Sequence, residues 1–252
     1  MPDAGTSNEV SPSSLEVGTE MGRVAHGART LVGVGVLLYA VGLILGFTLV
    51  GLHGNGAIQG LDNAVGRWVL AHRPPFVPVS RLIATYLDAL PLGVGCFVVS
   101  VALALRFRAS WALIPVAAYL GGEGLVTVIR LVIHRPRPLT ADYPAVGSIP
   151  GIHETSYSFP SGHAVAVTAV LFGMFGVLAM AKKTWWPWVI AALLSSFVCY
   201  SRLVLGVHWL SDVGIGAVIG ALWGTAVAAV SRTVAFADLG ALIRRATASI
   251  RR

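Results

Sequence analysis

Six apolar stretches, each about 20 residues long, divide the chain, and the polar residues between them gather in a few short segments. The stretches run near Leu31 to Leu52, Leu82 to Leu105, Trp111 to Ile133, Gly162 to Ala181, Trp185 to Val204 and Trp209 to Val230. At about 1.5 Å per residue, each reaches across a hydrocarbon core of roughly 30 Å. Inside a bilayer the backbone must satisfy its own hydrogen bonds, so such runs fold as helices. The pattern predicts an all-α, polytopic membrane protein with six transmembrane helices, one domain and no internal repeat. The first stretch is long for a signal-peptide core, and no good Ala-x-Ala site follows it, so it is read as a retained span.

The segments outside the spans differ in character. Residues 1–28 are rich in Ser, Gly, Pro and Glu and are expected to form a disordered cytoplasmic tail. Residues 29–232 form the membrane domain, and 233–252 a basic tail. Between spans one and two, Ile58, Leu61, Val65, Trp68 and Val69 recur at helical spacing, with Asp62, Asn63 and Arg67 between them. That pattern suits a short interfacial helix in the first outer loop, with Trp68 at headgroup level. Asp88 and Pro91 predict a bent, water-facing outer end of span two. Glu123 stands inside span three, on the same face as Arg130 but about 10 Å away along the axis; it is read as structural.

Composition agrees with the pattern. Of the 252 residues, 56% are hydrophobic and only 12% charged, about half the charge of a soluble domain. The net charge of +7 would suit nucleic acid in a soluble protein. No Lys/Arg run with interleaved aromatics is present, so nucleic acid is excluded as a partner and membrane lipids are expected instead. Cys96 and Cys199 both fall within spans and are read as buried thiols.

Six spans place both termini on one side. That side collects Arg23, Arg29, Arg106, Arg108, Lys182, Lys183, Arg232, Arg244, Arg245, Arg251 and Arg252, or 11 of the 18 basic residues. The other side holds the remaining 7: Arg67, Arg73, Arg81, Arg130, Arg135, Arg137 and Arg202. The positive-inside rule then predicts cytoplasmic termini. The loops after spans one, three and five fall on the outer face.

Three polar clusters share that outer face. The first is Arg130-Leu-Val-Ile-His-Arg-Pro-Arg-Pro138, the second Pro160-Ser-Gly-His163, and the third Ser201-Arg202 followed by His208 and Asp212. Arg130, Arg137 and Arg202 would repel one another without an anion between them, and a guanidinium fork matches two phosphoryl oxygens. Ser161 and Gly162 sit at a helix start, where Ser caps and Gly lets the backbone approach a ligand. His163 lies one residue inside, placed to give or take a proton. His208 and Asp212 are four apart. A carboxylate on one ring nitrogen fixes the tautomer and leaves the other as a nucleophile. A metal site built from Asp142, His153, His163, His208 and Asp212 is the rival; its spacing is loose, and the arginines would repel a cation.

Together the clusters resemble the signature motifs of the type 2 phosphatidic acid phosphatase superfamily: Lys-x6-Arg-Pro, Pro-Ser-Gly-His and Ser-Arg-x5-His-x3-Asp. Here they read Arg130-x6-Arg137-Pro138, Pro160-Ser161-Gly162-His163 and Ser201-Arg202-x5-His208-x3-Asp212, over a region of resemblance from about 30 to 231. Arg130 replaces the family Lys, exchanging a point donor for a planar fork. The resemblance implies a metal-independent lipid phosphatase without a cofactor. In that scheme His208 attacks phosphorus, Asp212 orients it and His163 protonates the departing oxygen. Arg130, Arg137, Arg202, Ser161 and the Gly162 N–H hold the phosphoryl oxygens. Substrates of the class would be a polyprenyl pyrophosphate, phosphatidylglycerol phosphate or phosphatidic acid. A lipid phosphotransferase of the same family and a membrane anion or lipid transporter are the alternatives. The related vanadium haloperoxidases are soluble, unlike this chain. Arg135, His134 and His153 occupy no motif position.

Overall fold

The computed structural model describes residues 12–52, 56–107, 110–138 and 156–233, and every structural statement below concerns these. Helix α1 runs Pro12–Gly51, α2 Gly56–His72, α3 Val77–Tyr86, α4 Ala89–Phe107, α5 Ile114–Val132, α6 Gly162–Lys182, α7 Trp186–Val204 and α8 Leu210–Thr233. Short 3-10 turns at Pro74–Phe76 and Ser110–Leu113 lead into α3 and α5. Six helices are long and apolar enough to cross a membrane: Met21–Gly51, Ala89–Phe107, Trp111–Val132, Gly162–Lys182, Trp186–Val204 and Leu210–Thr233.

Three expectations change. The segment from Pro12 to Ala28 lacks a hydrophobic run, yet it continues the first span as one unbroken helix. Proline is tolerated in a helix's first turn, and the span supplies the nucleus that a free segment would lack. Residues 1–11 and 234–252, the rest of the two expected tails, lie outside the described residues. The second span begins at Ala89, not Leu82. Leu87 and Asp88 break the helix, and Leu82 belongs to the separate helix α3. The loop between spans one and two therefore carries two helices instead of one.

Helices α6 and α8 form the centre, packed against each other along their lengths. Small residues make this possible. A side chain at Gly220 would strike the Val165 carbonyl, and one at Gly224 the Ala169 carbonyl, so the two backbones touch. Helices α5 and α7 flank α6, while α1 lies against α5 and α8, and α4 against α5. Leu125, Val126, Ile129, Ile133, Phe159, Val165 and Ile219 belong to one buried cluster between them. The outer faces stay apolar: Leu105 is 78% exposed, Leu90 76% and Val36 62%. In water such a surface would aggregate, whereas in a bilayer it meets lipid.

Helix α2 has two distinct faces. Ile58, Leu61 and Trp68 point away from the protein, and Gln59, Asp62, Val69 and Leu70 point inward. The apolar stripe seen in the sequence is therefore largely the outward one, and two polar residues are among the buried ones.

Candidate active site

The three polar clusters meet at one end of the bundle. Arg130 lies in the last turn of α5 and donates from Nε and Nη2 to the Pro160 carbonyl at 3.2 and 3.0 Å. This ties the first cluster to the second. Gly162 lets it happen: a Cβ there would stand 3.3 Å from Arg130 Nη2, tighter than side chains normally pack.

Arg137 is held by backbone from two directions. Its Nε donates to the Ser156 carbonyl at 2.7 Å, its Nη1 to the Val207 carbonyl at 2.7 Å, and its Nη2 to Ser156 Oγ at 3.0 Å and the Tyr157 carbonyl at 3.3 Å. Nη1 also faces His208 Nε2 at 3.2 Å. Arginine can only donate, so Nε2 accepts and is unprotonated in this contact. The ring proton then resides on Nδ1, which faces Asp212 Oδ2 at 3.7 Å. That distance exceeds a hydrogen bond, and Nδ1 makes none here.

His208 and Asp212 come together, though not as two residues on one helical face. His208 sits in the bend before α8, and Asp212 occupies the helix's first turn. The Asp212 carboxylate folds back and accepts the Trp209 N–H at Oδ2, 3.0 Å away. It thereby caps the helix and faces the histidine at once. His208 is fully enclosed. Burial first, then the charges of Arg137, Arg202 and Arg130, and also His163, hold its imidazole well below the usual histidine range. It is neutral at pH 7.

His163 is buried at the start of α6, with its Nε2 unpartnered and the Ala84 carbonyl of α3 against its ring. Ser161 takes the N-cap position with an extended backbone, yet its hydroxyl makes no capping bond and is buried without a partner. The expected cap is therefore backbone geometry alone. Arg202 is almost fully buried in the last turn of α7, within electrostatic reach of both His163 and His208. A polar cavity of about 60 Å³ joins Arg130, Gly162, His163 and His208, and Asp88 and Glu123 also line it. All eight sequence-predicted residues thus gather around one point. His134 stacks on Tyr157 instead, and Asp142 and His153 lie outside the described residues.

Behind the motif residues lies a buried network that the sequence did not disclose. Arg135 is completely buried and bridges two carboxylates, Asp212 Oδ1 at 2.6 Å and Asp62 Oδ2 at 2.8 Å. Ser211 joins them: its N–H donates to Asp62 Oδ1 at 2.8 Å and its hydroxyl to Asp62 Oδ2 at 2.6 Å. Trp209 lies against the Arg135 guanidinium, 5.4 Å from ring centroid to Cζ. Removing one partner of such a buried pair costs about 3–5 kcal/mol.

The model of the PAP2 superfamily matches residues 111–235, the stretch holding all eight residues of the three motifs. Over this stretch the chain is similar to the PAP2 superfamily. Among relatives, phosphatidylglycerophosphatase B of Bacillus subtilis is 28% identical over 177 residues, covering 68% of this chain and 83% of the relative. Decaprenylphosphoryl-5-phosphoribose phosphatase of Mycobacterium tuberculosis is 32% identical over 122 residues, 48% of this chain and 62% of the relative. The crystal structure of a transmembrane PAP2 type phosphatidylglycerolphosphate phosphatase from Bacillus subtilis superposes with a TM-score of 0.64 at 24% identity. That match covers 79% of this chain and 96% of the other and establishes the shared fold.

Proposed function

We propose that the protein is a metal-independent membrane lipid phosphatase in which His208 is the nucleophile and the site opens on the outer face of the membrane. The observation that carries this reading is the His208 ring: neutral, with Nε2 as acceptor toward Arg137 and Nδ1 directed at Asp212. A histidine so held presents its lone pair where three arginines would gather phosphoryl oxygens.

The steps follow from that placement. As Arg137 turns its Nη1 from His208 Nε2 to a phosphoryl oxygen, the freed Nε2 lone pair forms a bond to phosphorus and the bond from phosphorus to the lipid oxygen breaks. His163, protonated once the anionic phosphate is bound beside it, gives that proton to the departing oxygen and becomes neutral. Asp212 stabilises the positive charge that develops on the His208 ring. Arg130, Arg137 and Arg202, with Ser161 and the Gly162 N–H, hold the three phosphoryl oxygens as negative charge shifts onto them. Water then attacks phosphorus, His163 takes its proton, and breaking the phosphorus–nitrogen bond returns His208 to its neutral form.

The relatives' names support a lipid phosphate or pyrophosphate as substrate. They include phosphatidylglycerophosphatase B, a decaprenylphosphoryl-5-phosphoribose phosphatase and, over 66 residues at 39% identity, the undecaprenyl-diphosphatase of Sulfolobus acidocaldarius. An apolar groove of about 430 Å³ between α6, α7 and α8 shares Leu203 and Leu210 with the wall beside His208, a path suited to a lipid chain. The excess of basic residues at the termini side supports an outward-facing site.

The test is phosphate release by purified protein in detergent with EDTA, from polyprenyl pyrophosphate, phosphatidylglycerol phosphate and phosphatidic acid. Wild type is expected to release phosphate, with one substrate preferred, and His208→Ala to release none. Strict dependence on added Mg²⁺ or Zn²⁺, or no release from any of the three, would overturn the reading.

A further inference from the structure

The buried trio Asp62, Arg135 and Asp212 has a charge balance that the phosphoryl-transfer chemistry can use. Asp212 faces His208 with Oδ2 and accepts from Arg135 at Oδ1. If Arg135 had no other partner, it would cancel the Asp212 charge. The positive ring that forms on His208 would then meet a neutral pair. Asp62 takes the other half of the guanidinium, so two carboxylates share one cation and the trio keeps one net negative charge. Neither Asp62 nor Arg135 reaches the reacting atoms; both act through Asp212.

The geometry around Asp62 is built for this. The side chain is 1% exposed, and both its oxygens are occupied, by Ser211 and by Arg135. Gln59, one turn earlier on α2, accepts at its side-chain oxygen from the same Arg135 nitrogen that serves Asp62, at 3.4 Å. Ser211 immediately precedes Asp212, so Asp62 also fixes the turn from which the carboxylate projects. Because α2 turns Ile58, Leu61 and Trp68 outward, one helix presents an apolar face to its surroundings and a carboxylate to the catalytic side chain's partner.

We infer that Asp62 and Arg135 are positioning residues for phosphoryl transfer: they aim the Asp212 carboxylate at His208 and leave it the net negative charge that stabilises the His208 cation in the transition state. This rests on the phosphatase reading above. It goes further by giving α2, outside the three motifs, a part in the chemistry.

Three variants test it beside wild type and His208→Ala, with kcat and KM measured on the preferred lipid and folding checked by thermal melting. Asp62→Asn keeps the shape but removes the charge, leaving the trio neutral. Asp62→Glu keeps the charge on a longer stem. The double variant Asp62→Asn with Arg135→Gln removes both charges and returns the net charge to that of Asp212 alone. The expected result is a fall in kcat of about 10–100-fold for Asp62→Asn, with KM within about twofold. Asp62→Glu is expected to turn over faster than Asp62→Asn, and so is the double variant. A simple scaffold would give the opposite order: the isosteric amide nearest wild type and the double variant worst. Asp62→Asn within about threefold of wild type, or a double variant no faster than Asp62→Asn, would overturn the inference. Should Asp62→Asn not fold, the double variant decides alone: turnover within about tenfold of wild type supports the inference, and anything lower overturns it. Loss of folding in both would make the trio a scaffold and overturn it too. A silent wild type would instead strike at the phosphatase reading itself.

Discussion

Helices α6 and α8 differ from α1 and α4 in what holds them. The first pair meets backbone to backbone through Gly220 and Gly224 and carries His163 and Asp212 at one end. The second pair lies outermost, with side chains such as Leu105 and Val36 mostly exposed. Close packing leaves few alternative arrangements, so the proposed catalytic groups sit where the helix backbones approach most closely. On their outward faces these helices need only remain apolar, because lipid is as good a neighbour for leucine as protein is. Precision is thus concentrated in the central pair and the loops that join its ends, and tolerance at the periphery.

That contrast can be broken in graded steps. The largest effect belongs to the site itself: His208→Ala should lower phosphate release by at least about four orders of magnitude without moving the melting temperature in detergent. Next comes Arg137→Gln, expected to reduce kcat/KM by about 100-fold. It should also move the acid limb of the pH profile. His208 must be neutral to attack, and its folded-state range lies well below the ordinary 6.5. The wild-type rate should therefore hold down to pH values clearly under 6.5 and fall only as His208 gains its proton. Removing the Arg137 charge takes away one of the influences favouring the neutral ring, so the limb should rise in pH. An unmoved or lowered limb would count against that electrostatic account.

Packing gives the next step. Gly224→Val drives a side chain into the Ala169 carbonyl and should destabilise the protein by about 3 kcal/mol or more, read as a lower melting temperature with activity lost in parallel. The smallest effect should come from Leu105→Ala on α4, below about 0.5 kcal/mol and without change in kcat. A large loss there would mean that the outer helices are bound by more than lipid.

How much of this could be read from the chain depended on the range of the signal. The six spans follow from residue type alone, and the last four agree with the structure to within a few residues at both ends. The first runs further toward the N-terminus than its apolar stretch, because a helix once formed extends through residues that would not start one. The second begins late because Leu82 to Tyr86 is as apolar as a span, while the break at Leu87 and Asp88 is a local backbone choice. The three motifs put eight residues at one point because parity fixed their side of the bundle. The Asp62–Arg135–Asp212 trio was not legible. Asp62 lies between apolar residues on an amphipathic helix, which reads as a solvated face. Its burial depends on a partner 73 residues away. A hint existed, since Gln59 and Asp62 are one turn apart and Arg135 had no assigned partner. The close approach of α8 to α6 at Gly220 and Gly224 was not read from the sequence either, because it depends on which helix packs there.

The central claim is a covalent phosphoryl group on His208, and trapping it is the most direct measurement. Protein is mixed with a lipid substrate carrying labelled phosphorus, quenched in alkali within one turnover, digested and mapped. The account predicts label on the peptide containing His208, stable in alkali, released by acid and absent from His208→Ala. Phosphate release at full rate from His208→Ala, or label on any other residue, would contradict it.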